Sequence, residues 1–134
     1  MSIRMVADTQ ALIWYVTQNT QLSSPARSFL RKVDRADGEV AVSSMTLVEI
    51  LYLVEKNRIN QDTLEVVVSL LNDTDSSLVE IPIDHKIVQA MKQIPREQIP
   101  EMPDRIISAT ALYLEVPLIT SDLKIRDSFV PTIW

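Results

Sequence analysis

Four acidic residues in this chain have the types and positions expected of metal ligands: Asp8, Glu49, Asp104 and Asp122. Each lies where a strand-like apolar run gives way to a helical pattern, or where a helical pattern begins. A group of carboxylates that meet in one place has one common use in proteins, which is to hold divalent metal ions. The set therefore predicts a divalent-metal site, provided that the fold brings the four side chains together.

Each acid also has a simpler explanation when it is taken alone. Asp8 and Asp122 could be helix N-caps, and Asp104 fits the first turn of a helix. Thr46 and Glu49 have the spacing of a capping box. Capping does not require four acids at the same edge of a fold, however, and neighbouring carboxylates repel one another unless a cation joins them. We therefore expect the four to act as a set.

The apolar patterns alternate between strand and helix along the chain. Strands are predicted at 3–8, 39–44, 78–83 and 116–120, with a further edge strand at 129–133. Helices are predicted at 9–16, 24–34, 46–56, 62–71, 84–94, 103–114 and 121–126. This alternation predicts an α/β fold, a three-layer α/β/α sandwich with a mainly parallel central sheet of four to five strands, as a single domain over residues 1–134.

A parallel sheet would place the four acids at one edge. Crossover helices run antiparallel to the strands, so their N-termini share the edge at which the strands end. Asp8 and Asp122 follow strands, whereas Glu49 and Asp104 lie in the first turns of helices. Residues 95–103 lie between the helices predicted at 84–94 and 103–114. This segment contains Pro95, Pro100 and Pro103 and is expected to be an ordered loop or a lid.

Composition excludes several classes of protein. The chain has no Cys, which rules out disulfides and zinc–thiolate sites, and its one Gly rules out a glycine-rich phosphate loop. No apolar run reaches the length of a membrane span and no secretory leader is evident, so a cytoplasmic protein without a membrane partner is expected. The net charge of −5 argues only weakly against a nucleic-acid partner, because leaving the four candidate ligands out of the 18 acidic residues gives 14 acidic against 13 basic residues.

Four segments of the chain resemble the PIN domain (PilT N-terminus) family, and most closely the VapC-type toxins. They are VADTQALI (6–13), SSMTLVEILY (43–52), MPDRIISATAL (102–112) and VPLITSDLKI (116–125), and they occur in the order and spacing of that family. The resemblance covers the whole chain. It implies a Mg²⁺- or Mn²⁺-dependent ribonuclease that is commonly a homodimer and is inhibited by a small antitoxin.

The resemblance carries catalytic and metal-binding roles onto Asp8, Glu49, Asp104 and Asp122. Thr9 and Thr120 match positions where the family often has a hydroxyl beside the acids, and they are expected to hold the carboxylates or, equally, to cap helices. Asp8 and Asp104 are the expected direct ligands of the metal. Lys124 and Arg126 are the basic residues nearest to the site in sequence and are expected to bind substrate phosphates.

Other interpretations remain to be weighed. A phosphatase of the haloacid dehalogenase type would need an acid at position 10, where this chain has Gln10. A receiver domain would need a pair of acids near the first strand. The alternative that stays open is a non-catalytic PIN-like module that binds RNA or protein. His85 is expected at the surface, and Trp14 and Tyr15 are expected to contribute to a dimer interface.

Overall fold

The computed structural model describes residues 2–134 and has a parallel sheet at its centre. Within that range the sheet has five strands in the order β3-β2-β1-β4-β5, and every neighbouring pair is parallel. The strands are β1 (Ile3–Ala7), β2 (Glu39–Ser43), β3 (Leu78–Ile81), β4 (Leu118–Ile119) and β5 (Thr132–Ile133). The predicted three-layer α/β fold with a mainly parallel sheet is confirmed.

Helices connect the strands as crossovers. They are α1 (Thr9–Val16), α2 (Ser24–Arg35), α3 (Ser44–Glu55), α4 (Thr63–Asn72), α5 (His85–Met91), α6 (Met102–Leu114) and α7 (Leu123–Arg126). In the part of the chain that the structure describes, no helix is both long enough and apolar enough to cross a membrane. All seven predicted helices are present, with starts and ends that shift by a few residues.

The strand at the centre of the sheet is buried on both sides. Met5 and Ala7 of β1 pack with α1–α4 on one face, whereas Val6 packs with α5–α7 on the other. All three side chains are at most 1% exposed. Because successive strand residues point to opposite faces, one apolar run serves both cores, as is usual in parallel sheets covered by helices.

Serine and proline signals fix where two helices begin. Ser23 caps α2 by accepting a hydrogen bond from the Ala26 N–H, with Pro25 in the first turn. Ser43 caps α3 by accepting from the Met45 N–H at 3.1 Å. Helix α3 therefore begins two residues before the predicted Thr46, and Glu49 lies in its second turn. The capping-box interpretation of Glu49 is wrong, because Ser43 caps this helix.

The proline-rich segment, residues 95–103, is an ordered loop. Ile94 and Ile99 are 1% and 0% exposed and anchor it in the core beside α6. One Arg105 amino group (Nη2) donates to the carbonyls of Met91 and Ile94, at 2.9 and 3.0 Å, and so ties the end of α5 to α6. These anchors fix the path of the backbone into the N-terminus of α6.

Glycine is scarce, and other residues take left-handed conformations at turns. Positive φ angles of 54–57° occur at four residues other than glycine, which are Gln18, Asp37, Asn57 and Glu115. Glu115 ends α6 in this conformation, at φ 57° and ψ 44°. Gly38 is required by close approach, since a Cβ there would lie 2.9 Å from the Val33 Cγ1 atom.

Candidate metal centre at the carboxyl edge of the sheet

The two acids that follow strands lie side by side across the centre of the sheet. β1 and β4 are neighbours, and the Asp8 N–H donates to the Ile119 carbonyl at 3.1 Å. Asp122 follows β4, and its N–H donates to the hydroxyl of Thr120 at 3.0 Å. The switch point of the sheet, where ligands bind in such folds, is therefore flanked by both carboxylates.

Both of these carboxylates also cap helices, as the simpler interpretation predicted. Asp8 Oδ1 accepts from the Ala11 N–H at 2.8 Å, and Asp122 Oδ1 accepts from the N–H groups of Lys124 and Ile125 at 2.9 and 3.4 Å. Each cap uses only one carboxylate oxygen. Capping therefore does not exclude metal binding in this fold, since each cap occupies Oδ1 alone.

Glu49 is held by a hydroxyl from the first helix. The Thr9 hydroxyl donates to Glu49 Oε1 at 2.5 Å, and the hydroxyls of Thr9 and Thr46 are 3.1 Å apart. This contact joins α1 to α3 directly behind Asp8. Thr9 therefore positions a candidate ligand, as the resemblance implied for a residue in this place.

Asp104 lies in the first turn of α6, whose N-cap residue Glu101 makes no capping hydrogen bond with its side chain. The pKa of Asp104 is raised from 3.8 to about 6, mainly by burial and also by the charges of Asp122, Glu49, Glu101 and Asp8. Three of these charges come from other elements, whereas Glu101 is the N-cap residue of α6 itself. Asp104 therefore faces the common edge on which the remaining acids converge.

Burial also raises the pKa of Asp8, from 3.8 to about 6. Hydrogen bonds from the Thr120 side chain and the Ala11 N–H lower it, whereas the charges of Asp122 and Glu49 raise it. Thr120 is fully buried. Its hydroxyl thus links Asp8 to the Asp122 backbone, which fits the predicted supporting role of this threonine.

The four acids interact electrostatically, but they are not drawn together as a finished coordination shell. Within residues 2–134, no three His, Cys, Asp or Glu side chains are close enough to share one ion. The donor set nevertheless fits Mg²⁺ or Mn²⁺, because it consists of hard carboxylate oxygens and Mg²⁺ keeps several waters, so that few protein ligands suffice.

A fifth acid, Glu101, belongs to the same neighbourhood and was missed from the sequence. It precedes α6, acts on the pKa of Asp104, and pairs with Lys124, whose Nζ atom is 3.1 Å from Glu101 Oε1. The hydrogen bond from Lys124 lowers the pKa of Glu101. Its position one helical turn before Asp104 was the signal available in the sequence.

The basic residues predicted to bind phosphate lie at the rim. Lys124 is on α7 and keeps 60% of its side chain exposed despite its ion pair. Arg126 lies on the same short helix and is exposed. His85 is exposed at the start of α5, as expected.

An apolar groove of about 470 Å³ adjoins the acids along α3 and the start of α6. It is lined by Met45, Val48, Glu49, Tyr52, Leu53, Lys56, Met102 and Pro103. Tyr52 and Met102 are 58% and 61% exposed. Trp14, which was expected at an interface, packs against Trp134 with ring centroids 5.9 Å apart.

The chain thus has an α/β fold with a five-stranded parallel sheet and carboxylates on both sides of the switch point. The PIN domain family matches residues 5–128, and the chain belongs to that family. A search of curated protein sequences gives no significant match.

Three crystal structures contain similar folds. One is VapBC2 from Rickettsia felis bound to a DNA fragment from its promoter, with a TM-score of 0.70 and 16% identity over 100% of both chains. DNA-bound VapBC from Salmonella typhimurium has a TM-score of 0.70 and 18% identity, over 97% of this chain and 96% of that one. FitAcB from Neisseria gonorrhoeae has a TM-score of 0.61 and 18% identity, over 96% and 95%. At these identities the similarity is one of fold.

Proposed function

We propose that this protein is a metal-dependent ribonuclease that hydrolyses RNA phosphodiester bonds. The observation that carries the proposal is the convergence of Asp8, Glu49, Asp104 and Asp122 from four separate elements on one edge of the sheet, with burial and mutual repulsion raising the pKa of two of them. Such crowding of negative charge is costly unless a cation binds. Membership of the PIN family supports the same interpretation.

The residues divide the work by position. Asp8 and Asp104 would hold the metal directly, Glu49 would bind metal or orient a water, and Asp122 would complete a second metal position or act through water. When bound, Mg²⁺ or Mn²⁺ supplies an activated water and neutralises charge on the phosphate. Thr9 fixes the Glu49 carboxylate, and Thr120 fixes Asp8 and the Asp122 backbone. Lys124 and Arg126 contact phosphates along the bound strand.

We further propose that the protein is the toxin of a VapBC-type pair, acting in the cytoplasm as a homodimer with an antitoxin partner. The similar folds include toxin–antitoxin complexes from several bacteria. The exposed apolar groove ends at Glu49, so a partner segment seated there would reach the metal site. A short reading frame beside the gene, whose product co-purifies with this chain, tests the partner, and the molar mass in solution tests the dimer.

Cleavage of labelled RNA tests the enzymatic proposal. We expect cutting with Mg²⁺ or Mn²⁺, none with excess chelator, and loss of nearly all activity in Asp8→Asn and in Asp104→Asn. Asp84→Asn is a matched control, because Asp84 caps α5 in the same way that Asp8 caps α1 but lies outside the site. Cleavage that persists in chelator refutes the metal role. Binding of RNA with no cleavage under any metal would instead identify a non-catalytic binding module.

A further inference from the structure

We propose that Glu101 limits RNA affinity by competing with the RNA backbone for Lys124. The proposal rests on the ribonuclease function above and adds a residue that neither the family match nor the acid set assigns. The Lys124 ammonium is held by a carboxylate at the rim of the metal site, and an incoming phosphate must displace that carboxylate. Glu101 thereby sets how tightly Lys124 can contribute to substrate binding.

The pairing is a distinctive feature of the charge distribution. The chain has 13 Lys and Arg and 18 Asp and Glu residues, yet Lys124–Glu101 is the one salt bridge within residues 2–134. It joins two segments separated by 23 positions in the sequence, the end of the proline-rich segment and the short helix after Asp122. The Glu101 side chain does not cap α6, so its carboxylate is available for Lys124.

The backbone that carries Glu101 is fixed. Ile94 and Ile99 are buried, and Arg105 bonds to two carbonyls where the segment leaves α5. Pro100 and Pro103 restrict the backbone on either side of Glu101. A role for the proline-rich segment follows, which is to present one carboxylate at a set place beside the metal site.

The exchange of partners is feasible because the pair is exposed. The side chains of Lys124 and Glu101 are 60% and 51% exposed, and ion pairs of this kind are weak and screened by salt. When Lys124 moves from Glu101 to a phosphate, the RNA releases cations but the freed Glu101 carboxylate attracts cations in turn, so the net release is smaller than for an unpaired lysine. Neutralising Glu101 should therefore strengthen binding and make it more dependent on salt.

The experiment measures RNA binding as a function of salt. Fluorescence anisotropy of a labelled single-stranded RNA is recorded in the presence of Mg²⁺. The KCl concentration is varied from about 25 to about 300 mM, which spans roughly one decade in ionic strength. All variants carry Asp8→Asn to keep the RNA intact. Asp8 suits this purpose because Glu101 is not among the charges that shift its pKa. Cleavage by the chain with Asp8 restored is assayed in parallel.

We expect Glu101→Gln to bind RNA about two- to fivefold more tightly at the lowest salt, with the log–log salt slope steeper by about 0.7. Glu97→Gln is the matched control, because Glu97 is an exposed acid on the same segment. Unlike Glu101, Glu97 forms no ion pair within the described residues. This substitution removes the same charge and should leave the slope nearly unchanged. In a Lys124→Gln background, Glu101→Gln should no longer steepen the slope.

Two results would overturn the proposal. One is a salt slope of RNA binding for Glu101→Gln that is no steeper than that for Glu97→Gln. The other is an effect of Glu101→Gln that persists in the Lys124→Gln background, which would mean that Glu101 simply repels RNA. Thermal melts establish that each variant is folded. Failure of the ribonuclease proposal can be told apart from failure of this one. If the salt slopes are as predicted but the protein with Asp8 restored does not cleave RNA, the ribonuclease proposal is refuted, whereas the competition between Glu101 and RNA for Lys124 is supported.

Discussion

Replacing Asp8 with Asn should stabilise the metal-free protein at neutral pH, although it removes a proposed metal ligand. Burial raises the pKa of Asp8 from 3.8 to about 6, a shift of about two units. At roughly 1.4 kcal/mol per unit, ionising this carboxyl in the folded state costs up to about 3 kcal/mol, and relaxation around the site reduces the effect to about 1–3 kcal/mol. Asn caps a helix as well as Asp, so the bond from the Ala11 N–H can persist.

The gain should depend on pH in a defined direction. Because the pKa of Asp8 is higher in the folded state than in the unfolded chain, the folded state binds the proton more tightly. The stability that this proton contributes is present below about pH 3.8 and is lost as pH rises through about 6. Asp8→Asn should therefore exceed the wild type in stability at pH 7 and lose that advantage by about pH 4.

Guanidinium unfolding in chelator, at intervals between pH 4 and pH 7.5, measures this difference. In a separate thermal melt at pH 7, the same gain in stability should raise the melting temperature by roughly 3–5 °C for each kcal/mol. Asp84→Asn serves as the control for N-cap chemistry, since Asp84 Oδ1 accepts from two N–H groups at an exposed site. The reasoning fails if Asp8→Asn is less stable than wild type at pH 7, or if the difference between them is constant across this range.

Two further predictions concern the metal and the turns. Protons compete with the metal at Asp8 and Asp104, so Mg²⁺ affinity should weaken by about tenfold or more per unit as pH falls below about 6, which calorimetric titration at pH 5, 6 and 7 measures. Glu115→Gly should stabilise the protein by about 0.5–1 kcal/mol in denaturant unfolding, because Glu115 ends α6 at φ 57°, where a side chain is strained. Loss of stability in Glu115→Gly would show that flexibility of the unfolded chain outweighs the strain.

The order and type of the elements could be predicted because apolar periodicity was strong in each of them. The boundaries were less predictable where several signals competed. Ser43, Ser44 and Thr46 are all potential caps for the same helix, and Ser43 is the one whose hydroxyl accepts from a helix N–H, that of Met45. β4 has only two residues, against five predicted, because ladder pairing with β1 and β5 covers only Leu118 and Ile119.

The candidate site was predictable as far as topology determines it. Strand ends and helix starts share an edge in any parallel α/β sheet, so the placement of Asp8, Glu49, Asp104 and Asp122 needed only the order of the elements. The pairing of Glu101 with Lys124 was not predictable, because it depends on the path of an irregular proline-rich loop. How closely the carboxylates approach one another likewise depends on side-chain conformations that no periodicity encodes.

The central position of β1 has a consequence for when the protein becomes active during synthesis. Asp8 leaves the ribosome before Asp122 and the β4 strand that carries Asp122 into place, which emerge more than a hundred positions later. The two carboxylates become neighbours only when β4 docks beside β1. A nascent chain therefore cannot assemble the four acids, and any activity that depends on them begins only after nearly the whole domain has been made. For a nuclease produced on ribosomes that are themselves translating RNA, this delay is built into the strand order.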